Sequence, residues 1–275
     1  MTGPKVMLTD TTLRDGEQGC GFAMKPEDKA ALARLLDEAG FYSIEAGIPA
    51  MGDCEKEAVR LIMQQRKKAR ISVWNRMNQE DIRHSFDCAP DIIHISAPAS
   101  PLLIQNYLHR NQAWVTDTLQ GCVELARGRG YEVTVGFQDA SRADMGFMIA
   151  LANRIKPLGV SSIRLADTVG ILTPLRARQM ASEFAKQTGM PFGIHPHNDL
   201  GMATAVAFEA VKGGASFVDT TLFGIGERAG NCDSHNFTLL AEGHLDLLSM
   251  RADLEAILPQ AEGILFPSLK ERVWR

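Results

Sequence analysis

Cysteine is scarce and unpatterned in this 275-residue chain: Cys20, Cys54, Cys88, Cys122 and Cys232 make an odd set of five with no CxxC spacing. That excludes a disulfide framework or a zinc knuckle as the basis of the fold and makes a reducing cytoplasm the expected compartment. Long apolar runs are missing too. The longest uncharged stretch, about Ile92 to Leu108, is broken by Pro98 and Pro101 and carries His94, so no membrane span is expected. Met1 to Asp15 reaches Asp10, Arg14 and Asp15 without an apolar core, and no signal peptide is expected. A basic surplus is lacking: 29 Lys+Arg stand against 33 Asp+Glu, a net charge of −4, and the only basic run is Arg66-Lys67-Lys68. Nucleic acid, which calls for a basic face, is therefore not an expected partner, and small molecules are. No Pro/Gly/Ser-rich linker or low-complexity segment divides the chain.

What is present is an ordinary globular composition, 45% hydrophobic and 23% charged, long enough to bury roughly three quarters of its unfolded surface. Short β-branched runs alternate with segments of helical periodicity. The strands are expected at Val6–Thr9, Ser43–Ala46, Ile71–Trp74, Ile92–Ser96, Glu132–Phe137, Ser162–Ala166, Phe192–His195 and Ser216–Leu222. The first helix opens at Pro26, repeats apolar residues at Ala30, Leu32, Leu35 and Leu36, and ends at Gly40. Others are expected at about Glu55–Lys67, Glu80–Phe86, Thr116–Arg127, Met145–Ile155, Leu175–Lys186, Ala203–Val211 and His235–Leu248, with a short piece over Arg251–Leu258 before a tail holding Pro259 and Pro267. Eight such units predict one α/β domain, a (β/α)8 TIM barrel over residues 1–275 with its units in about 5–249, close to the usual size of about 250 residues. A doubly wound sheet is the competing arrangement.

A barrel of this kind places its active site at the C-terminal ends of the strands, and the unusual residues fall there. Arg14 and Asp15 follow strand one, Glu45 ends strand two, Asn75 and Arg76 follow strand three, and His94 and Ser96 end strand four. Gln138 and Asp139 end strand five, Asp167 and Thr168 strand six, His195 and His197 strand seven, and Asn231 lies after strand eight. Packing alone would not select one end of every strand.

The strongest signal is His195-Pro196-His197-Asn198-Asp199. Residues i and i+2 of a strand point the same way, about 6.6 Å apart, so two imidazoles can share one cation. Asp15 supplies an oxygen from across the mouth and Asn231 can supply a fourth ligand. Mixed nitrogen and oxygen donors with open positions suit Mn²⁺, Mg²⁺ or Zn²⁺ in a catalytic site; the competing reading is that both histidines merely cap the strand. Arg14 beside Asp15 offers a cation for an enolate or polarised carbonyl oxygen. Arg164 alternates with Leu165 and Asp167, so it is expected to face the helices and is given no role. Gly224-Ile225-Gly226-Glu227-Arg228-Ala229 matches the GxGxxA dinucleotide fingerprint, but it follows the last strand, where no βαβ unit can be built. It reads better as a loop that approaches a ligand and presents Asn231.

Four segments together carry a family resemblance: Leu8-Thr9-Asp10-Thr11-Thr12-Leu13-Arg14-Asp15-Gly16-Glu17-Gln18, the His-x-His-Asn-Asp segment, Ala166-Asp167-Thr168-Val169-Gly170, and Gly224-x-Gly-Glu-Arg-x-Gly-Asn231. In that order they resemble the metal-dependent Claisen and aldol enzymes called DRE-TIM metallolyases. Ile44 to Gly52 and Asp139 to Asp144 are most similar to homocitrate synthase of the nitrogen-fixation type, then to 2-isopropylmalate and citramalate synthases. The resemblance implies that Asp15, His195, His197 and Asn231 hold a divalent metal that chelates a 2-oxo acid. It implies that Arg14 stabilises the developing oxyanion, Thr168 binds the oxo-acid carboxylate, Glu45 lines the substrate or acyl pocket, and Arg142 meets the distal carboxylate of 2-oxoglutarate. Arg76, Ser96 and Gln138 join the substrate-binding set by their place at the mouth, and acetyl-CoA is the implied co-substrate.

The family has Glu where this chain has Gln138, next to the oxo-acid pocket. Homocitrate and isopropylmalate synthases also continue into an extension that lends a His and a Tyr to a neighbouring subunit, whereas little of this sequence follows the eighth unit. The expectation is a barrel without that extension, its base supplied by His94 or by a separate subunit, and a homodimer by family habit. The alternative is a carbon–carbon lyase resembling 3-hydroxy-3-methylglutaryl-CoA lyase, whose catalytic Cys sits inside the glycine loop. Here Phe223 to Asn231 has none, and Cys232 lies just outside. A scaffold subunit without activity is the remaining possibility.

Overall fold

In the computed structural model, which describes residues 3–247 and 250–267, eight parallel strands close into a barrel in sequence order, β8 pairing back to β1. The strands are β1 (Met7–Asp10), β2 (Ser43–Glu45), β3 (Arg70–Arg76), β4 (Ile92–Pro98), β5 (Glu132–Gln138), β6 (Val160–Asp167), β7 (Phe192–Pro196) and β8 (Phe217–Thr220). Helices follow them: α1 (Pro26–Glu38), α2 (Asp53–Gln65), α3 (Gln79–Phe86), α4 (Gln112–Gly128), α5 (Met145–Ile155), α6 (Pro174–Thr188), α7 (Ala203–Lys212), α8 (Ser234–Ala241) and α9 (Met250–Leu265).

Local chemistry sets the boundaries. Asn78, Asn111, Asp144 and Asp233 each cap a helix by accepting a backbone N–H two or three residues on, and Pro26 starts α1 where its missing N–H costs nothing. The Asn111 cap starts α4 at Gln112, four residues before the predicted Thr116. Leu102–Tyr107 forms a π-helical turn that the sequence reading did not anticipate.

Two predicted elements are corrected. The eighth helix ends at Ala241, where Glu242 leaves helical geometry ahead of Gly243 at φ 73°, rather than running to Leu248, which lies outside the described residues. The last helix does not stop at Pro259 but carries it inside and extends to Leu265. Leu254, Ile257, Ala261 and Leu265 form one buried stripe on it, and burial outweighs the lost hydrogen bond. Residues 1, 2 and 268–275, including the end of the predicted tail, lie outside the described residues.

The apolar core sits between sheet and helices. Outward-facing Leu8, Ile44, Ile71, Val73, Ile93, Ile95, Val133, Val135, Ile163, Leu165, Ile194 and Val218 are all buried. The inner faces differ: Thr9, Ser43, Ser72, Thr134 and Ser162 line a cavity of about 150 Å³ within the barrel, floored above by His94 and Arg164. Barrels of this class usually fill their interior with bulky branched residues; here serine and threonine hydroxyls share it with Ile92 and Phe217.

Candidate metal centre and active site

The mouth cavity, about 210 Å³, is walled by Arg14, Asp15, Gln18, Ile48, Trp74, His94, Ser96, Gly136, Gln138, Arg164, Ala166, Thr168, His195, His197 and Glu227. Of the eight predicted site residues outside the metal set, Arg14, His94, Ser96, Gln138 and Thr168 line this cavity, and Glu45, Arg76 and Arg142 do not.

The metal set converges. Asp15, His195 and His197 are buried, and one ligand atom from each lies within 4.8 Å of the others. Asp15 Oδ2 is 2.9 Å from His195 Nε2 and 3.8 Å from His197 Nε2, but it accepts no well-formed hydrogen bond. Asn231 joins them through a β-bridge with His197. Its Nδ2 donates to Ile225 O at 3.0 Å, which leaves Oδ1 buried without a partner. Unpaired buried acceptors are costly unless something cationic meets them, so this donor set fits a divalent ion. Asn231 reaches its place because Gly226 has no side chain: a Cβ there would lie 2.1 Å from Asn231 Nδ2. That packing, rather than a pyrophosphate, accounts for Gly226 of the GxGxxA segment.

Around the set runs a closed ring of charged groups. Arg14 Nη1 is 3.2 Å from Asp15 Oδ1, and its Nε is 2.6 Å from Glu45 Oε1. Glu45 Oε2 is 2.7 Å from Arg164 Nη1, and Arg164 Nε is 2.5 Å from Asp219 Oδ2. Asp219 Oδ2 lies 3.1 Å from His195 Nδ1, and His195 Nε2 returns to Asp15. Burial would raise the carboxyls of Asp15 and Glu45, but the adjoining arginines, with the histidines at Asp15, outweigh it and hold both well below the usual range. Burial would lower His195, yet the neighbouring carboxylates of Asp15 and Asp219 bring it above its ordinary value. His197 is pushed down to about 4 by burial and by His195.

Arg164 corrects the sequence reading. It faces the barrel interior with Ala166 and Thr168, because the outer face of β6 is taken by Ile163 and Leu165, which pack under the helices. Asp219 was missed altogether; it shares the inner face of β8 with Phe217, while Val218 between them faces outward.

Thr168, Ser96 and Gln138 line the cavity, and Thr168 Oγ1 accepts a hydrogen bond from Asp139 N at 2.9 Å. His94 lines it too, 2% exposed, with Nδ1 2.8 Å from Thr134 Oγ1. Burial, then Arg164, lowers its basicity well below the ordinary value, so its ring is neutral. A Cβ at Gly136 would come within 2.6 Å of His94 Nε2, so that glycine makes room for the imidazole. Glu45 is fully buried inside the ring and does not wall the cavity. Arg76 is exposed and holds Asp81 with two nitrogens, at 2.6 and 2.9 Å, facing a neighbouring apolar pocket instead. Arg142 turns onto Asp139, at 2.8 Å, and is not part of the cavity wall. Asn75 bonds the carbonyls of Val73 and His94 and accepts from Ser85, and Asp167 accepts from the N–H groups of Ile171 and Leu172; both roles are structural.

With this geometry in view, residues 5–262 match the HMGL-like family model. The chain belongs to the HMGL-like family. Within it, the chain is 45% identical over 232 residues to homocitrate synthase subunit alpha of Clostridium pasteurianum, covering 84% of this chain and 86% of that one. It is 40% identical to homocitrate synthase of Frankia alni, over 91% of this chain and 70% of the relative. It is 42% identical to 2-isopropylmalate synthase 2 of Caldanaerobacter subterraneus, over 82% of this chain but 59% of that longer protein. The HMG-CoA lyase of Bacillus subtilis superposes with a TM-score of 0.82 over 96% of this HMGL-like chain and 95% of its own, at 18% identity, a likeness of fold.

Proposed function

We propose that this HMGL-like chain is a divalent-metal-dependent acyltransferase that condenses acetyl-CoA with a 2-oxo acid, in the manner of homocitrate synthase. The observation that carries the reading is the buried convergence of Asp15, His195 and His197 beside Arg14, in a chain whose relatives named above are homocitrate and isopropylmalate synthases. Asp15, His195, His197 and Asn231 would hold the ion, with Mn²⁺, Mg²⁺ and Zn²⁺ all compatible with the donors. A bound ion supplies Lewis acidity to the keto carbonyl of the oxo acid.

The remaining roles belong to the chain's own groups. Thr168, its hydroxyl oriented by Asp139 N, is placed to donate to the oxo-acid carboxylate. Arg14, held by Glu45, donates toward the oxygen on which negative charge develops as the acetyl carbon adds. Neutral His94 is the internal group for taking a proton from the acetyl methyl. Hydrolysis of the thioester then releases CoA. The name of the Clostridium pasteurianum relative, a subunit alpha, supports a two-component assembly in which a second subunit completes the site.

The synthase direction is favoured over the lyase because the glycine loop from Phe223 to Asn231 holds no thiol, while burial pushes the Cys232 thiol far above its ordinary value and leaves it unreactive. The test is CoA release from acetyl-CoA with a panel of 2-oxo acids, with added metal, after chelation, and with the candidate second subunit. Turnover that needs the metal and stops in His195→Ala supports the reading. No turnover under any condition, or a second subunit's activity that survives His195→Ala, rejects it, the latter in favour of a scaffold.

A further inference from the structure

An oxo acid held at the metal centre must send its side chain somewhere, and the cavity floor offers one charged destination. Among the described residues the wall carries two cations, Arg14 and Arg164. Arg14 lies against Asp15 at the metal centre. Arg164 lies deeper: its partner Asp219 holds Nδ1 of His195, so the guanidinium stands two contacts and one imidazole ring from the ligand atom His195 Nε2.

The surroundings of Arg164 leave space for a guest. Its neighbour in register on β5 is Gly136, which adds no side chain, and Ala166 above it on the same face adds only a methyl. The two carboxylates that hold Arg164 use its Nε and one Nη1 contact. A guanidinium has five N–H donors in a planar fork, more than the nearest contacts to these two carboxylates engage. A fork with spare donors, fixed by Glu45 and Asp219 and opening on a cavity, is suited to a planar carboxylate. Arg142, the sequence-based choice for this role, is exposed and engaged by Asp139.

We propose that Arg164 forms a carboxylate subsite on the cavity floor that selects a dicarboxylic 2-oxo acid by binding its distal carboxylate. This rests on the reading of the chain as a 2-oxo-acid-condensing enzyme and assigns to it the residue that selects the acid.

The probes are 2-oxoglutarate and 2-oxopentanoate, which have the same chain length and differ in the distal carboxylate. Binding of each to the metal-loaded protein is measured by calorimetry without acetyl-CoA, and kcat and KM are measured separately for wild type, Arg164→Lys and Arg164→Met. Wild type is expected to favour the diacid at least about 100-fold, as for a site built to bond a group the analogue lacks. Arg164→Met is expected to bring the two acids within about tenfold, chiefly through KM and binding of the diacid, with Arg164→Lys in between. Metal titration of each apo-protein shows whether the ring survives. Equal binding of the two acids by wild type overturns the subsite, and so does an equal loss for both acids in the variants, which would make Arg164 a structural member of the ring. Selective diacid binding without CoA release under any condition would instead reject the condensation and leave the subsite standing.

Discussion

Asp219 Oδ2 sits 3.1 Å from Nδ1 of His195, on the opposite side of the imidazole from Asp15. The carboxylate draws the ring proton to Nδ1 and leaves Nε2 free to ligate, as partners behind metal-bound histidines commonly do. Asp219→Asn is expected to weaken divalent-metal binding about 10- to 100-fold. Titration calorimetry on the apo-protein measures this, and unchanged affinity would remove Asp219 from the site.

Glu45 carries two arginines at once, Arg14 on one oxygen and Arg164 on the other, with no exposure to water. Glu45→Gln leaves both guanidiniums short of a counter-charge. A loss of about 3–5 kcal/mol in unfolding free energy is expected, the usual result of breaking a buried ion pair from one side. Urea unfolding gives the value; a change below about 1 kcal/mol would mean that the ring is solvated or rearranges freely.

For His94 the informative readout is hydrogen exchange at the methyl group of acetyl-CoA. His94→Gln is expected to slow that exchange about 100-fold or more if the imidazole takes the proton. Gly136→Ala, whose methyl would press on His94 Nε2, is expected to slow it while leaving metal affinity unchanged. Exchange at the wild-type rate in both would assign proton removal to a group other than His94.

Asp10 gives the fold a pH dependence. Burial raises its carboxyl from 3.8 to about 7, despite hydrogen bonds from Thr12. Between those values the folded chain holds a proton that the unfolded chain has released, so this group makes stability fall as pH rises through the window. Its effect is on the order of 4 kcal/mol from end to end. Asp15 and Glu45 are shifted the other way, and their stabilisation is already complete above the ordinary carboxylate range. Asp10→Asn is therefore expected to flatten the fall in unfolding free energy between pH 5 and pH 8 relative to wild type. Parallel profiles for the two proteins would refute the assignment.

The barrel and the convergence of Asp15, His195 and His197 were legible because both depend on strand parity and position. Eight β-rich runs fix the closure, and residues placed just past each run must gather at one rim. Arg164 was misread by the same rule applied to the wrong face: Ile163 and Leu165 mark the side that meets the helices, so the charged residue between them points inward. The signal for Asp219 was present in its alternation with Val218, but its value lies in a contact with His195, which is 24 residues away. Arg142 and Arg76 have the right type and location along the chain, yet nearby Asp139 and Asp81 claim them. Such local pairing has no periodicity to reveal it.

The hydroxyl-lined interior separates two jobs that many proteins load onto one core. Since most of the greasy packing lies outside the staves, exchanging a serine or threonine within them forfeits little cohesion. The lumen can thus be rewritten to admit a differently shaped guest while the outer shell keeps the barrel closed.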